Sequence, residues 1–178
     1  MIEIEMKKLF LTLTFLLTLS CSAFAQERRE WKPFSHPRGE WSINAPGVLT
    51  SDTDPGKPTS KLVGYDYKDR TGLFAVIYRG VSKVPKDPKK YYDKARDEAV
   101  KGVSGRLLKD ETFTGDSGGG ITGREILIQL DYGRMERARI FFHGKRIYTV
   151  LAILPGEEIS SGEIDAFFNS FTARQPDR

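Results

Sequence analysis

The sequence predicts an α+β sandwich, with two helices packed on a largely antiparallel sheet. Three observations lead there. Strand-like runs follow one another across short Gly-, Pro- and Asp-containing turns, and such turns join antiparallel neighbours, because a parallel connection needs a long crossover. Two of the runs, Leu73 to Tyr78 and Ile147 to Leu154, are apolar on both alternating faces, the mark of strands covered from both sides. Two segments show the three-and-four spacing of amphipathic helices.

Trp31 to Ser35 and Glu40 to Asn44 carry aromatic and β-branched residues and flank His36-Pro37-Arg38-Gly39, where Pro and Gly mark a turn. Pro46-Gly47 closes this pair, and Ser51 to Pro58 reads as a long irregular loop. Lys61 to Lys68 and Leu73 to Arg79 form a second hairpin around Asp69-Arg70-Thr71-Gly72. Between Lys89 and Lys101 the period changes. Tyr92, Ala95, Ala99 and Val103 share one helical face, with Asp87 as N-cap, Pro88 at the first helical position and Gly102 at the far end. Strands resume at Arg106 to Phe113, Ile121 to Leu130, Arg134 to His143 and Lys145 to Leu154. In the last helix Ser160 and Glu163 spell a capping box, followed by the apolar stripe Ile164, Phe167, Phe168 and Phe171.

The first 25 residues read as an address. Met6-Lys7-Lys8 is a basic head, Leu9 to Leu19 an apolar stretch, and Ala23-Phe24-Ala25 an A-x-A end, the three parts of a secretory signal peptide cleaved after Ala25. The apolar run falls short of the roughly 20 residues a membrane span needs, so no transmembrane helix is expected in the mature chain. A competing reading has Cys21 lipidated as a membrane anchor; Thr18-Leu19-Ser20 before it match the lipoprotein pattern poorly. The expected division is a signal peptide at 1–25, a charged linker at 26–30, one domain at 31–174 and a polar tail at 175–178.

Cys21 is the single cysteine. Cleavage after Ala25 therefore leaves no thiol for catalysis, disulfides or a cysteine-rich metal site. About 153 residues remain, enough to bury a core without staples. With 28 Lys and Arg against 24 Asp and Glu, the formal charge is +4. That mild excess favours weak attraction to anionic surfaces and does not specify nucleic acid, which secretion disfavours further.

Gly115-Asp116-Ser117-Gly118-Gly119 spells the nucleophile segment of chymotrypsin-like serine proteases, and His36, Asp66 or Asp69, and Ser117 follow the family's chain order. His36 sits in a proline-flanked turn outside that family's context, the chain is too short for two barrels, and two helices have no place in such a fold. A serine hydrolase using Ser117 is thus a distant alternative; the segment reads as a glycine turn between two strands. The same glycines could cradle a phosphate as a backbone nest. Ile121 begins a strand there, however, where a phosphate loop would begin a helix.

Arg137, Arg139, Phe141 and His143 alternate on one face of their strand, with Lys145 and Arg146 following around Gly144. Arg137, Arg139, His143, Lys145 and Arg146 are the candidate ligand-binding residues, a basic face suited to an anionic polymer, lipid headgroup or acidic partner. The competing description is a solvated face that deters edge pairing. Lys83, Lys86, Lys89 and Lys90 crowd a helix entry where cations are unfavourable. His36 and His143 read as a solvated turn histidine and a strand-end histidine, and no metal site or cofactor is expected. Trp31 and Trp41 flank the first turn as a potential cross-hairpin pair, with at least one in the core. No acidic pair stands out for general acid work.

The opening Phe34-Ser35-His36-Pro37-Arg38-Gly39-Glu40-Trp41-Ser42-Ile43-Asn44-Ala45-Pro46-Gly47 resembles the start of PsbP-like domains. Arg146 to Val150, followed by Phe167-Phe168-Asn169-Ser170-Phe171, is similar to their closing strand and helix, and Gly123-Arg124-Glu125 also fits. The resemblance implies an α-β-α sandwich around an antiparallel sheet of about six strands. Members include an extrinsic photosystem II subunit, a nuclear import factor that binds a small GTPase, and secreted bacterial proteins. It therefore implies binding or assembly without catalysis, and carries over no functional residue. The expectation is a secreted or periplasmic module of the bacterial cell envelope, not an enzyme. Its partner is expected to be an extracytoplasmic protein or an anionic envelope component.

Overall fold

The computed structural model describes residues 29–51, 63–115 and 120–174. In chain order the elements are β1 (Lys32–Ser35), β2 (Trp41–Ala45), β3 (Val63–Lys68), β4 (Leu73–Gly80), α1 (Lys89–Gly102), β5 (Arg106–Gly115), β6 (Ile121–Gln129), β7 (Arg134–His143), β8 (Arg146–Pro155), α2 (Gly162–Asn169) and β9 (Thr172–Ala173). Six strands form one sheet in the order β3-β4-β8-β7-β6-β5, and β1-β2-β9 form a smaller one. Every pairing is antiparallel. The α+β sandwich and its six-stranded sheet are as the sequence predicts.

The layers follow from strand alternation. On β4, Phe74, Val76 and Tyr78 enter one core while Ala75 and Ile77 join another; on β8, Tyr148, Val150, Ala152 and Leu154 oppose Ile147, Leu151 and Ile153. β4 and β8 are adjacent inner strands with both faces covered. One face takes α1 through Tyr92, Ala95 and Ala99. The other takes α2 and the small sheet through Ile164, Phe167, Phe168, Trp41 and Ile43.

The α1 entry comes one residue later than read: the helix begins at Lys89 with Pro88, not Asp87, at its N-cap and no side-chain cap bond. Pro88 has helical torsions (φ −71°, ψ −18°), and Asp87 Oδ1 accepts from the Lys89 N–H at 3.1 Å. The α2 entry is shifted too. The helix begins at Gly162 with Ser161 at its N-cap, and no side chain caps it, so the Ser160–Glu163 capping box does not form. The backbone turns in one residue later than the sequence suggests, with the Asp165 N–H donating to the Ser161 carbonyl at 3.1 Å. Glu163 instead accepts from the Trp31 indole N–H at 3.4 Å.

Two local irregularities matter later. On edge strand β5 the register passes from Leu107↔Ile128 to Lys109↔Leu127, so Leu108 is an extra residue in a β-bulge. At Gly123, a Cβ would lie 2.6 Å from a Phe113 ring carbon and 2.7 Å from Phe141 Cβ. Glycine at this point lets the Phe113 ring fold flat across the sheet.

Candidate functional site

Arg137 and Arg139 share the β7 face that meets α2. Residues two apart on a strand are separated by about 6.8 Å, and residues four apart on a helix by about 6 Å. The match lets one strand row meet one helix turn. Arg137 Nη1 donates to Asp165 Oδ1 at 2.6 Å, and Arg139 Nη1 to Asn169 Oδ1 at 2.9 Å. Glu125, opposite Arg139 in the β6–β7 register, accepts from both: Arg139 Nε at 2.6 Å and Arg137 Nε at 3.0 Å. The Phe168 ring lies 4.9 Å from the Arg137 guanidinium carbon and 5.2 Å from that of Arg139, and the Phe113 ring lies 5.0 Å from that of Arg139.

The face is therefore basic in sequence but not solvated. Each arginine side chain is 14% exposed, and Glu125 is buried. Alternation finds the face correctly; what lies over it comes from a helix some thirty residues further along the chain.

Beside this contact lies a cleft of about 510 Å³. Helix α2 spans only eight residues, and the sheet near β5 and β6 extends beyond its end. Phe113, Phe141, Phe168 and Phe171 supply apolar walls, while Arg139 and Asn169 are the strong polar groups, and Arg139 is the lone charged residue of the lining among the described residues. Sequence reading missed Glu125, Asn169 and the phenylalanine walls. Glu125 carries a signal in the sequence, since it is an acid directly preceding the apolar run Ile126-Leu127-Ile128 in a strand.

The remaining candidates lie elsewhere. Lys145 is exposed in the β7–β8 turn. Arg146 points into the small-sheet end, where its Nη1 pairs with Glu40 Oε2 at 2.8 Å and its guanidinium sits 5.4 Å from the Tyr78 ring centre. His143 is partly buried, and burial pushes its pKa down. The structure thus divides the five predicted residues: two beneath α2, three around the β7–β8 hairpin.

His36 corrects the sequence reading. It is 1% exposed, with its ring 5.3 Å from Tyr65 and 5.5 Å from Trp41. The Arg38 N–H donates to its Nδ1 at 3.2 Å, and its Nε2 lies 3.0 Å from the Tyr78 hydroxyl. The proline-flanked turn folds inward because the aromatic residues of β2, β3 and β4 converge there. Burial outweighs the neighbouring Glu40 and lowers the His36 pKa, and burial pushes the Tyr78 hydroxyl up to about 12. Trp41 is buried, as expected for at least one tryptophan. The two do not form a cross-hairpin pair: Trp31 packs on Phe74 and Phe167, while Trp41 packs on Phe34, Tyr65 and Phe171. Each faces a different set of side chains, most of them contributed by later elements.

At the domain boundary Arg29 is docked, pairing with Glu158 at 2.8 Å and Asp69 at 3.2 Å. Lys89 pairs with Asp93 at 3.0 Å. Ser117, Cys21 and the signal segment lie outside the described residues. Among the described residues no group of three or more His, Cys, Asp and Glu could hold a metal ion, and no helix is long and apolar enough to cross a membrane.

The fold is similar to that of cyanobacterial PsbP (CyanoP) from Synechocystis sp. PCC 6803. The likeness covers 86% of this chain and 98% of that one, with a TM-score of 0.55 and 14% sequence identity. A Saccharomyces cerevisiae Ran-binding protein, Mog1p, matches over 82% of this chain and 96% of its own, with a TM-score of 0.44 and 11% identity. No family model and no curated protein matches the sequence. At these identities the comparisons establish a PsbP-like fold.

Proposed function

We propose that the protein is a non-catalytic binding or assembly module of the bacterial cell envelope, exported by residues 1–25 and engaging an anionic component or an acidic extracytoplasmic partner. The observation that carries this reading is Arg139, fixed at the wall of an aromatic cleft by Glu125, Asn169 and two phenylalanine rings. An arginine stays protonated and cannot exchange protons at neutral pH. It recognises anions and does not perform acid–base chemistry. Nearby Thr172 shares its hydroxyl with Ser42 at 2.7 Å, which ties the small sheet together. The signal-peptide pattern and the PsbP-like fold support the same assignment.

The export half of the reading is tested by expressing the full chain in a bacterial host, fractionating the cells and measuring intact mass. A periplasmic or secreted chain beginning at Gln26 is expected. A lipid-modified chain beginning at Cys21 selects the tethered form of the same module. A full-length chain confined to the cytoplasm overturns the envelope role. The binding half predicts retention on anionic membranes that weakens as salt rises, since the net charge of +4 and exposed cations such as Lys145 attract an anionic surface through solvent, where salt screens them.

A further inference from the structure

The cleft beside α2 has the makings of a small-molecule site, and its polar groups indicate the ligand. Its volume, about 510 Å³, lies within the range of ligand pockets. Arg139 uses Nε for Glu125 and Nη1 for Asn169, so among the described residues Nη2 has no hydrogen-bond partner. Asn169 spends its Oδ1 as acceptor for Arg139, which leaves its Nδ2 hydrogens likewise without an acceptor among the described residues. Both side chains line the cleft, and among the described residues no carboxylate does. The spare hydrogen-bonding capacity of these two side chains is donating.

The walls add a second constraint. Phe113 and Phe168 pack on the guanidinium at 5.0 and 5.2 Å, and Phe141 and Phe171 meet edge to face at 5.3 Å. Four rings and a fixed guanidinium favour a planar apolar body whose edge carries negative charge. The arginine loses little freedom on binding because its rotamer is already fixed by four contacts.

From this geometry we infer that the cleft binds a small organic carboxylate with a planar apolar body, its carboxylate on Arg139 Nη2 and Asn169 Nδ2 and its body among the phenylalanines. The inference rests on the binding-module reading and adds the ligand class.

Amide NMR shifts on the processed chain test it, with three probes titrated separately: naphthoate, the uncharged naphthalene methanol, and inorganic phosphate. Naphthoate should shift the amides of Thr114, Ile121, Asn169 and Thr172 saturably. It should bind at least about ten-fold more tightly than the alcohol, the effect of one good charge-assisted contact. Phosphate should leave these amides unmoved. Asn169→Asp keeps a partner for Arg139, and so the fold, while placing a carboxylate in the cleft. It should weaken naphthoate about ten-fold or more and leave the alcohol unchanged. Arg139→Gln should do the same for naphthoate.

Equal affinity for acid and alcohol, or phosphate shifting the same amides as strongly, overturns the carboxylate assignment and leaves a cleft that binds something else. Silence from all three probes overturns the cleft as a ligand site. Neither outcome touches export, which fails only in the fractionation experiment, and binding to an anionic surface is read separately by salt-dependent retention.

Discussion

Helix α1 spans fourteen residues and buries one of them, Tyr92, whereas α2 spans eight and buries three, Ile164, Phe167 and Phe168. The long helix is held largely at its rim. Arg96 donates to Asp110 on β5 at 2.6 Å, and Arg124 on β6 joins Asp110 to Asp93, 3.0 Å from each. The short helix is held through aromatic packing, with Phe167 5.3 Å from Phe74 and 5.1 Å from Phe168, and through the two arginines beneath it. Length and anchorage therefore run in opposite directions. The same economy that lets α2 anchor firmly leaves part of its sheet face open, and the cleft occupies that part.

The contrast can be broken most forcefully on the α2 side. Phe168→Ala removes a 3% exposed ring that also stacks on both arginines. It should cost about 3–5 kcal/mol in urea unfolding. A loss below about 1 kcal/mol would mean α2 is not the anchor described.

The α1 face carries a liability of its own. Glu136 is 5% exposed, opposite Ile128 and Ile153, and has no ion-pair partner among the described residues. Burial raises its pKa from 4.5 to about 7. Between these values the folded protein holds a proton that the unfolded chain has released. Stability is thus greatest below the window and falls as pH rises through it. The shift corresponds to about 3 kcal/mol. The lowered pKa values of His36 and His143 act with the opposite sign in both chains, so the difference between their urea midpoints isolates Glu136: Glu136→Gln should gain stability relative to the wild type between pH 5 and pH 8. A difference that does not change with pH would show that Glu136 reaches solvent.

A smaller effect is expected at the rim. Burial pushes the Asp110 pKa up, but Arg96 and Arg124 outweigh it and hold the carboxyl below the usual range. Asp110→Asn should cost about 1–2 kcal/mol, because charge-assisted bonds in a partly exposed network are lost. Faster hydrogen exchange should be confined to α1 and β5; acceleration in α2 as well would mean the two faces are not independent. The smallest effect should come from Ser160→Ala. With no cap bond to lose, stability should stay within about 0.5 kcal/mol, and a drop near 1 kcal/mol would restore the capping box.

What the sequence made legible was local. Turns such as Asp69 to Gly72 and the two-sided apolar strands 73–78 and 147–154 state their pairing and their place in the sheet, because both depend on near neighbours. The Asp87-Pro88 entry was legible to within one residue for the same reason. His36 was not, since a Pro-flanked turn looks exposed until Trp41, Tyr65 and Tyr78 close over it from three strands. Nor was the state of Arg137 and Arg139. Period two says that they share a face, but Asp165 and Asn169, which clamp them, come from another element. The cleft depends on Phe113 crossing Gly123 and on the length of α2, and neither follows from any one segment.

Leu108 acts as a phase shifter for the whole edge strand. Leu107, paired with Ile128, lies on the α1 side of the sheet, and so does Asp110, three residues later, where simple alternation would place it on the other side. The extra residue inverts the parity of everything after it, sending Asp110 to the helix rim and Phe113 to the cleft. Deleting Leu108 would leave a regular ladder, with Asp110 still opposite Ile126 at the rim and Phe113 still opposite Gly123 in the cleft; straightening the strand with Leu108 kept in it would exchange the two destinations, pointing the aromatic wall at α1 and the carboxylate into the cleft beside Arg139.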